Sequence, residues 1–242
     1  MRLSATIIAQ DEERALPDCL LSLRGLCDEV LVVDGGSHDR TREVARSAGA
    51  RVLERPFDDF ARQHEFARGE ARGEWILSID ADERASAELR EVVWSGAHAA
   101  YALPFKNHLA GVWLRHGGLW PDRHVRLFQR ARCRYDLARG VHEKLIVDGS
   151  TGSLDAPILH YSWESAQDAL EKSAGYGERA ALLLHQHGKR GNIARQLSKP
   201  LWRFLRGYVL RAGFLDGRAG AAVAWARAYE AWVRERRLRT LR

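Results

Sequence analysis

No apolar stretch in this chain approaches the roughly 20 residues that an α-helix needs to cross a bilayer, so the sequence predicts no membrane-spanning helix. Cysteine is scarce. Cys19, Cys27 and Cys133 are an odd number without zinc-ligand spacing, which argues against a disulfide scaffold or zinc cluster and suits small core residues in a reducing cytoplasm. The apolar run that ends at Ala9 is too short for a secretion signal and meets Asp11-Glu12-Glu13 at once. There is no internal repeat and no low-complexity segment.

What is there fits a soluble globular protein. The 242 residues are 45% hydrophobic and 29% charged, enough for one large core or a domain with an appendage. The net charge of +6 is unevenly spread. From Arg195 onward, 12 Arg or Lys face only Asp216, Glu230 and Glu235, a local +9 that leaves −3 for residues 1–194. A basic tail on a slightly acidic body predicts an anionic partner for the tail.

The first hundred residues alternate strand and helix signals. Strands are expected at Leu3–Ala9, Glu29–Asp34, Arg51–Glu54 and Trp75–Ile79, and helices at Leu16–Leu23, Thr41–Ala48, Phe60–Arg72 and Ser86–Val93. This rhythm predicts a parallel sheet covered by helices. From Tyr101 to His160 the pattern changes to short strands, Tyr101–Phe105, His124–Gln129 and Lys144–Val147, split by Gly and aromatic residues. They predict a mixed, partly antiparallel second half. Helices follow at Ser162–Lys189, with Gly175 and Gly177 as weak points, and at Arg195–Arg211 and Ala219–Arg239. The expected domains are 1–190, with a nucleotide-binding half at 1–100 and an acceptor half at 101–190, and a basic amphipathic helical extension at 191–242.

Ligands on parallel sheets bind at the carboxyl ends of the strands. Three such ends carry polar clusters: Gln10-Asp11-Glu12, Asp34 and Asp80-Ala81-Asp82. In the last, two carboxylates two residues apart lie on one side of the pleat. Like charges so close repel unless a cation neutralises them. A hard divalent ion such as Mg²⁺ or Mn²⁺ takes oxygen ligands and shares them with phosphates. The Asp-x-Asp strand end therefore reads as a metal–diphosphate site, or alternatively as a solvated acidic turn.

Ile7-Ile8-Ala9-Gln10-Asp11-Glu12, Val32-Val33-Asp34-Gly35-Gly36-Ser37-His38-Asp39-Arg40-Thr41 and Ser78-Ile79-Asp80-Ala81-Asp82-Glu83 together resemble family 2 glycosyltransferases of the GT-A fold. Arg115-His116-Gly117-Gly118-Leu119-Trp120-Pro121-Asp122, Arg126-Leu127-Phe128, Val141-His142-Glu143 and Leu159-His160-Tyr161-Ser162 resemble a narrower group, as do Pro200-Leu201-Trp202-Arg203-Phe204 and Gly213-Phe214-Leu215-Asp216-Gly217. These are the bacterial lipopolysaccharide core β-glucosyltransferases, which add glucose to inner-core heptose. The implied fold is α/β, a Rossmann-like, mostly parallel mixed sheet flanked by helices, with a C-terminal helical extension. The chain departs from the family pattern at Asp11, usually Asn, at Gly35, usually Ser, and at His64-Glu65, usually Arg-Asn; these positions are expected near the donor nucleotide.

The resemblance implies a role for each candidate residue. Ala9, Gln10, Glu12 and Asp34 would hold base and ribose of a nucleotide-diphosphate sugar, UDP-glucose first, and Gln63 and Ala81 would line that donor site. Asp34 could instead cap its own turn, and Asp39 reads as a cap for the helix from Thr41. Asp82 would be the metal ligand, and Asp80 would bind ribose or the water shell of a Mg or Mn ion. His160 would be a further ligand or a core histidine. Inverting transfer needs a base, with Glu143 first and Asp122 second, unless either is a salt-bridge partner. Arg126 would face the diphosphate or pair with an acid. Trp113, Gly117-Gly118 and Trp120 would form an acceptor loop or a packed aromatic pair.

The basic, aromatic C-terminal helices suit an anionic membrane surface or a pair of helices covering the catalytic domain. The expected enzyme is thus a metal-dependent transferase, cytoplasmic and peripheral at the inner face of the cytoplasmic membrane, with a lipid-linked saccharide as acceptor and no nucleic-acid partner. A nucleotidyltransferase would open on a Gly-rich phosphate loop rather than on Asp11-Glu12-Glu13, and ranks below. A membrane-docked, non-catalytic nucleotide-binding protein on a degenerate transferase fold is the remaining rival.

Overall fold

The computed structural model describes residues 2–92, 94–138 and 144–241. By their internal contacts the residues divide into two units, Met1–Phe105 with Arg123–His160, and Lys106–Asp122 with Tyr161–Arg242.

The first unit opens with β1 (Leu3–Ala9), α1 (Leu16–Leu23), β2 (Glu29–Asp34), α2 (Thr41–Ser47), β3 (Arg51–Glu54), α3 (Phe60–Glu70) and β4 (Trp75–Ser78). β1 pairs in parallel with β2 on one side and β4 on the other, and β3 extends β2 in parallel. Alternate residues point to opposite faces of the strands. Leu3, Ala5, Ile7, Val32 and Leu77 join Leu16, Leu20 and Leu23 of α1 in one core layer. Leu31, Val33 and Ile76 join Ala67 of α3 and Ala71 just after it in the other. Pro17 sits in the first turn of α1, where its missing N–H costs nothing.

The later strands are β5 (Glu83–Ala85), β6 (Ala100–Leu109), β7 (Val112–Trp113), β8 (Asp122–Gln129), β9 (Cys133–Tyr135), β10 (Leu145–Val147), β11 (Thr151–Ser153) and β12 (Ile158–Trp163), with a short α4 (Ala87–Glu91) after β5. The sheet order is β3-β2-β1-β4-β8-β6-β12-β5, with β11 and β7 paired to β6, while β9 and β10 form a separate hairpin pair. β8 runs antiparallel to β4 and β5 antiparallel to β12. This is the mixed, mostly parallel sheet expected. Strands of two or three residues, such as β5, β7 and β11, are too short to leave a periodic signal in sequence. β6 runs four residues past Phe105, because Lys106 and His108 stand half-exposed between buried Asn107 and Leu109.

The second unit is helical, with α5 (Ala166–Gln186), α6 (Ile193–Phe204), a π-helical turn (Leu205–Leu210), a 3₁₀ turn (Gly213–Asp216) and α7 (Gly217–Thr240). Ser162 and Trp163 end β12 rather than start a helix. α5 begins after Ser165, whose hydroxyl accepts from the backbone N–H of Asp168 at 3.0 Å. The segment expected as one helix from Arg195 to Arg211 changes pitch at Leu205, and Ala212 then turns it with a left-handed φ of 55°.

Gly177 is a contact rather than a weak point. A Cβ there would lie 2.7 Å from the carbonyl oxygen of Glu230 and 3.0 Å from Cβ of Val233, so α5 and α7 meet backbone to side chain. Gly177→Ala should therefore destabilise the protein by about 1–3 kcal/mol through overpacking, despite the better helix propensity of alanine. Gly175→Ala meets only the flexible end of Arg179 at 3.7 Å or beyond and should be neutral or stabilising. Urea unfolding of the two variants distinguishes these outcomes.

Candidate active site

The carboxyl ends of β1 and β2 are laced together. In the loop after β1, the N–H of Asp11 donates to Ser37 Oγ at 3.0 Å, that of Glu12 to Thr41 Oγ1 at 2.7 Å, and that of Glu13 to Asp39 Oδ2 at 3.0 Å. In return, the N–H of His38 donates to Asp11 Oδ1 at 2.7 Å and that of Arg40 to Glu13 Oε2 at 3.0 Å. Asp11 takes a left-handed φ of 58°. Asp39 thus bridges the two loops as well as accepting from the N–H of Thr41 at 2.9 Å.

Asp34 is fully buried and caps its own turn. Its Oδ1 accepts from the N–H groups of Gly36 and Ser37 at 3.1 and 3.0 Å, and its Oδ2 from the Ser37 hydroxyl. Arg42 Nε lies 3.8 Å from Oδ1. Ala9 is buried beside it, Gln10 is exposed and Glu12 half-buried. Gly35 sits where a Cβ would come 3.3 Å from Phe57 Cβ and 3.4 Å from Gln10 Cβ. Gln63 is buried on α3 and tied to Arg55, donating to its backbone oxygen at 3.1 Å and accepting from its guanidinium.

The end of β4 gathers most of the charge. Arg126 on β8 donates through one nitrogen, Nη2, to Asp80 Oδ2 at 2.7 Å and to Glu83 Oε1 at 2.6 Å. Glu83, buried at the start of β5, also accepts the N–H of Asp80 through Oε2 at 2.9 Å. The guanidinium lies 5.2 Å from the centre of the Phe105 ring. Burial pushes the Asp80 carboxyl up, but Arg126, with His64 and His160 beyond it, holds it well below the usual carboxylate range. For Glu83 burial prevails over the shared arginine, and Asp80 adds to it, so its carboxyl is raised. Of the two alternatives for Arg126, the structure has it paired with acids.

Asp82 and His160 are brought together: Asp82 Oδ2 lies 3.4 Å from His160 Nε2. His160 is on β12, edge-on to Phe105 with ring centres 5.7 Å apart. Ligands of one octahedral divalent ion, bound at about 2.1 Å, stand about 3 Å from each other, so this oxygen–nitrogen pair fits two positions around an ion. Among the described residues no group of three or more His, Cys, Asp or Glu is arranged to hold a metal, so phosphate and water oxygens would complete the shell. Ala81, between the aspartates, is buried.

His64 and Glu65, where the family usually has Arg-Asn, both have local partners. His64 stacks on Tyr135 at 5.0 Å between ring centres. Glu65 accepts from Arg68 Nε and from the N–H of Tyr135, both at 2.9 Å, and so ties α3 to β9.

In the second unit, Trp113 and Trp120 meet edge to face at 5.3 Å, with the Arg115 guanidinium 4.3 Å from the Trp113 ring centre. His116 is held by both oxygens of Asp216, its N–H at 2.8 Å and Nδ1 at 2.7 Å. Gly117 and Gly118 follow with φ of 68° and 76°, and a Cβ on Gly118 would collide with the Arg211 side chain. Burial lowers the pKa of Arg227, and Asp122, which opens β8, only partly opposes that shift. Glu143 lies outside the described residues.

Sequence reasoning missed Glu83 and Phe105 as organisers of the site. A third acid after the Asp-x-Asp pair was the available signal for Glu83. None pointed to Phe105, or to the pairing of His116 with Asp216, a hundred positions away.

A parallel α/β half whose strand ends collect carboxylates, followed by an antiparallel half, is the arrangement of GT-A transferases. The sequence profile of "Glycosyl transferase family 2" matches residues 4–100. Lipopolysaccharide core biosynthesis glycosyltransferase LpsC of Rhizobium meliloti is 30% identical over 250 residues, which span 96% of this chain and 92% of LpsC. The chain belongs to glycosyl transferase family 2. It is also 25% identical to the uncharacterized glycosyltransferase RT0209 of Rickettsia typhi, across 99% of this chain and 87% of that one. The S. aureus TarS 1-349 crystal structure superposes with a TM-score of 0.49 at 13% identity, over 96% of this chain and 91% of that TarS fragment, a likeness too distant to add to the assignment.

Arg126→Ala should cost about 1–3 kcal/mol, because half-exposed Asp80 and buried Glu83 both lose the donor they share. The double variant Glu83→Gln/Arg126→Ala should recover part of that loss, because one stranded charge is gone. Strictly additive unfolding energies from urea titration would contradict the shared arginine.

Proposed function

We propose that this glycosyltransferase moves glucose from UDP-glucose to a lipid-linked saccharide, with inversion at the transferred carbon and with Mg²⁺ or Mn²⁺ on the diphosphate. The observation that carries the reading is the approach of Asp82 Oδ2 to His160 Nε2 at 3.4 Å, beside Asp80 at the carboxyl end of the sheet. When bound, the cation neutralises charge that builds on the departing diphosphate. Asp82 and His160 would hold it. Asp80, kept ionised by Arg126, accepts from the ribose or from the ion's water shell, and Arg126 orients that carboxylate.

Ala9, Gln10, Glu12, Asp34, Gln63 and Ala81 shape the nucleotide pocket. The lacing of the loops after β1 and β2 fixes its walls before donor arrives. Asp34 keeps its turn closed, and so sets the wall of that pocket from beneath.

Transfer forms a bond from the acceptor oxygen to the sugar carbon on the face opposite the phosphate. The bond to the phosphate oxygen breaks with its electron pair, and the hydroxyl proton passes to a carboxylate. Glu143 is the first choice for that base and Asp122 the second. The relation to LpsC, named for lipopolysaccharide core biosynthesis, supports a core saccharide as the acceptor, and inner-core heptose is the sugar proposed. An acceptor with a lipid anchor is met at an anionic membrane surface on its cytoplasmic side, with the C-terminal helices toward it. Residues 1–190 would then be the catalytic domain and 191–242 the membrane-facing extension.

Calorimetric titration with UDP should give binding that requires Mn²⁺ or Mg²⁺ and weakens at least tenfold in Asp82→Ala and His160→Ala; metal-independent binding, or none, would overturn the donor reading. Glu143→Gln should keep UDP affinity and lower turnover by about 10²–10⁴-fold. Normal turnover in Glu143→Gln with loss in Asp122→Asn would move the base to Asp122.

A further inference from the structure

Helix α6 is turned inside out. A helix on the surface of a soluble protein ordinarily buries its apolar stripe and exposes its charges. Here, apart from Phe204 against Trp225 at its end, the contacts that fasten it to α7 are polar. Gln196 is buried and accepts from Arg239. Lys199 donates to Glu235 at 2.6 Å, and Arg203 meets Glu230 at 2.9 Å. The outer face carries Ile193, Leu197, Leu201 and Trp202, between 56% and 65% exposed. The apolar surface continues through the π-helical and 3₁₀ turns, where Leu210 and Leu215 are exposed to the same degree.

No acidic residue occurs from Ile193 to Leu215, while Arg195, Arg206 and Arg211 are exposed there. A contiguous apolar surface of this kind marks an interaction site. Its charge selects the occupant. A two-fold dimer through this face would set the same cationic patch against itself, with no carboxylate on either side to answer the arginines. An anionic bilayer offers both an apolar interior and negative headgroups. Among the described residues no helix is long and apolar enough to cross a membrane, so an element of this pattern lies in the plane of the interface.

We propose that residues 193–215 are a preformed platform that lies in the plane of an anionic membrane. The row from Ile193 to Leu215 enters the boundary between headgroups and acyl chains, and Arg195 and Arg206 contact the headgroups. Lys199 and Arg203 take no part in lipid contact, because they fasten α6 to α7. This deepens the membrane-facing role given above to the C-terminal helices, and assigns the basic residues of the tail two separate tasks.

Co-sedimentation of the full chain with vesicles tests the platform without any nucleotide. Binding should appear with phosphatidylglycerol–phosphatidylcholine vesicles and be much weaker with phosphatidylcholine alone. Leu197→Gln/Leu201→Gln should reduce binding at least tenfold at low salt while leaving UDP affinity unchanged. Arg195→Gln/Arg206→Gln should reduce it chiefly on the anionic vesicles and flatten its salt dependence. No vesicle binding by the unaltered chain would overturn the membrane role itself. Binding lost with the arginines but unaffected by the leucine changes would overturn insertion and leave only charge attraction. A concentration-dependent dimer in sedimentation velocity, abolished by Leu197→Gln/Leu201→Gln and accompanied by no vesicle binding, would make the face a self-interface. Vesicle binding without UDP binding would leave the platform standing and remove the donor assignment instead.

Discussion

One guanidinium shared by a half-exposed aspartate and a buried glutamate is the constraint around which the first unit is arranged. The turn after β4 brings three acids into four positions, Asp80, Asp82 and Glu83, and Arg126 neutralises only part of their charge. The arginine reaches them because β8 runs antiparallel beside β4. The Phe105 ring, on β6, lies against both the guanidinium and the His160 ring. The remaining negative charge rests on Asp82 at the open edge, next to an imidazole nitrogen. Packing of apolar strands thus decides where the uncompensated charge sits.

The other half of the site depends on hydrogen bonds between loops rather than on ion pairs. Five backbone N–H groups in the turns after β1 and β2 find side-chain acceptors across the gap. Backbone donors at a strand end would otherwise need water. With these bonds made, neither turn can shift without exposing the other. That rigidity fixes the acceptors and donors at this strand end relative to one another.

Much of this was legible in the amino-acid order. The runs Leu3–Ala9, Glu29–Asp34 and Arg51–Glu54 have apolar centres between polar turns, and became strands with those limits. Their carboxyl ends drew attention to Asp34, Asp80 and Asp82 for a physical reason, since parallel strands end together. The pairing of Asp82 with His160 lies 78 positions apart in sequence, and a family resemblance had to suggest it. Periodicity also showed that the residues from Arg195 onward are amphipathic, but not which face is turned outward. Only the ion pairs from Lys199 and Arg203 to α7 reveal that. Gly177 illustrates the same limit: its helix propensity is visible in sequence, whereas the carbonyl of Glu230 against it is not.

The left-handed turn at Asp11 restricts how this position can vary. A φ of 58° is cheap for glycine and tolerable for asparagine and aspartate, while β-branched and bulky side chains are strained there. The N–H of His38 needs an oxygen at 2.7 Å, which glycine lacks. The usable alphabet at position 11 shrinks to two letters, Asn and Asp. An exchange between them changes a formal charge at the carboxyl end of β1 while leaving the backbone trace and its hydrogen bond in place. Drift at this point of the chain can therefore retune the electrostatics offered to an anionic ligand without any cost in fold.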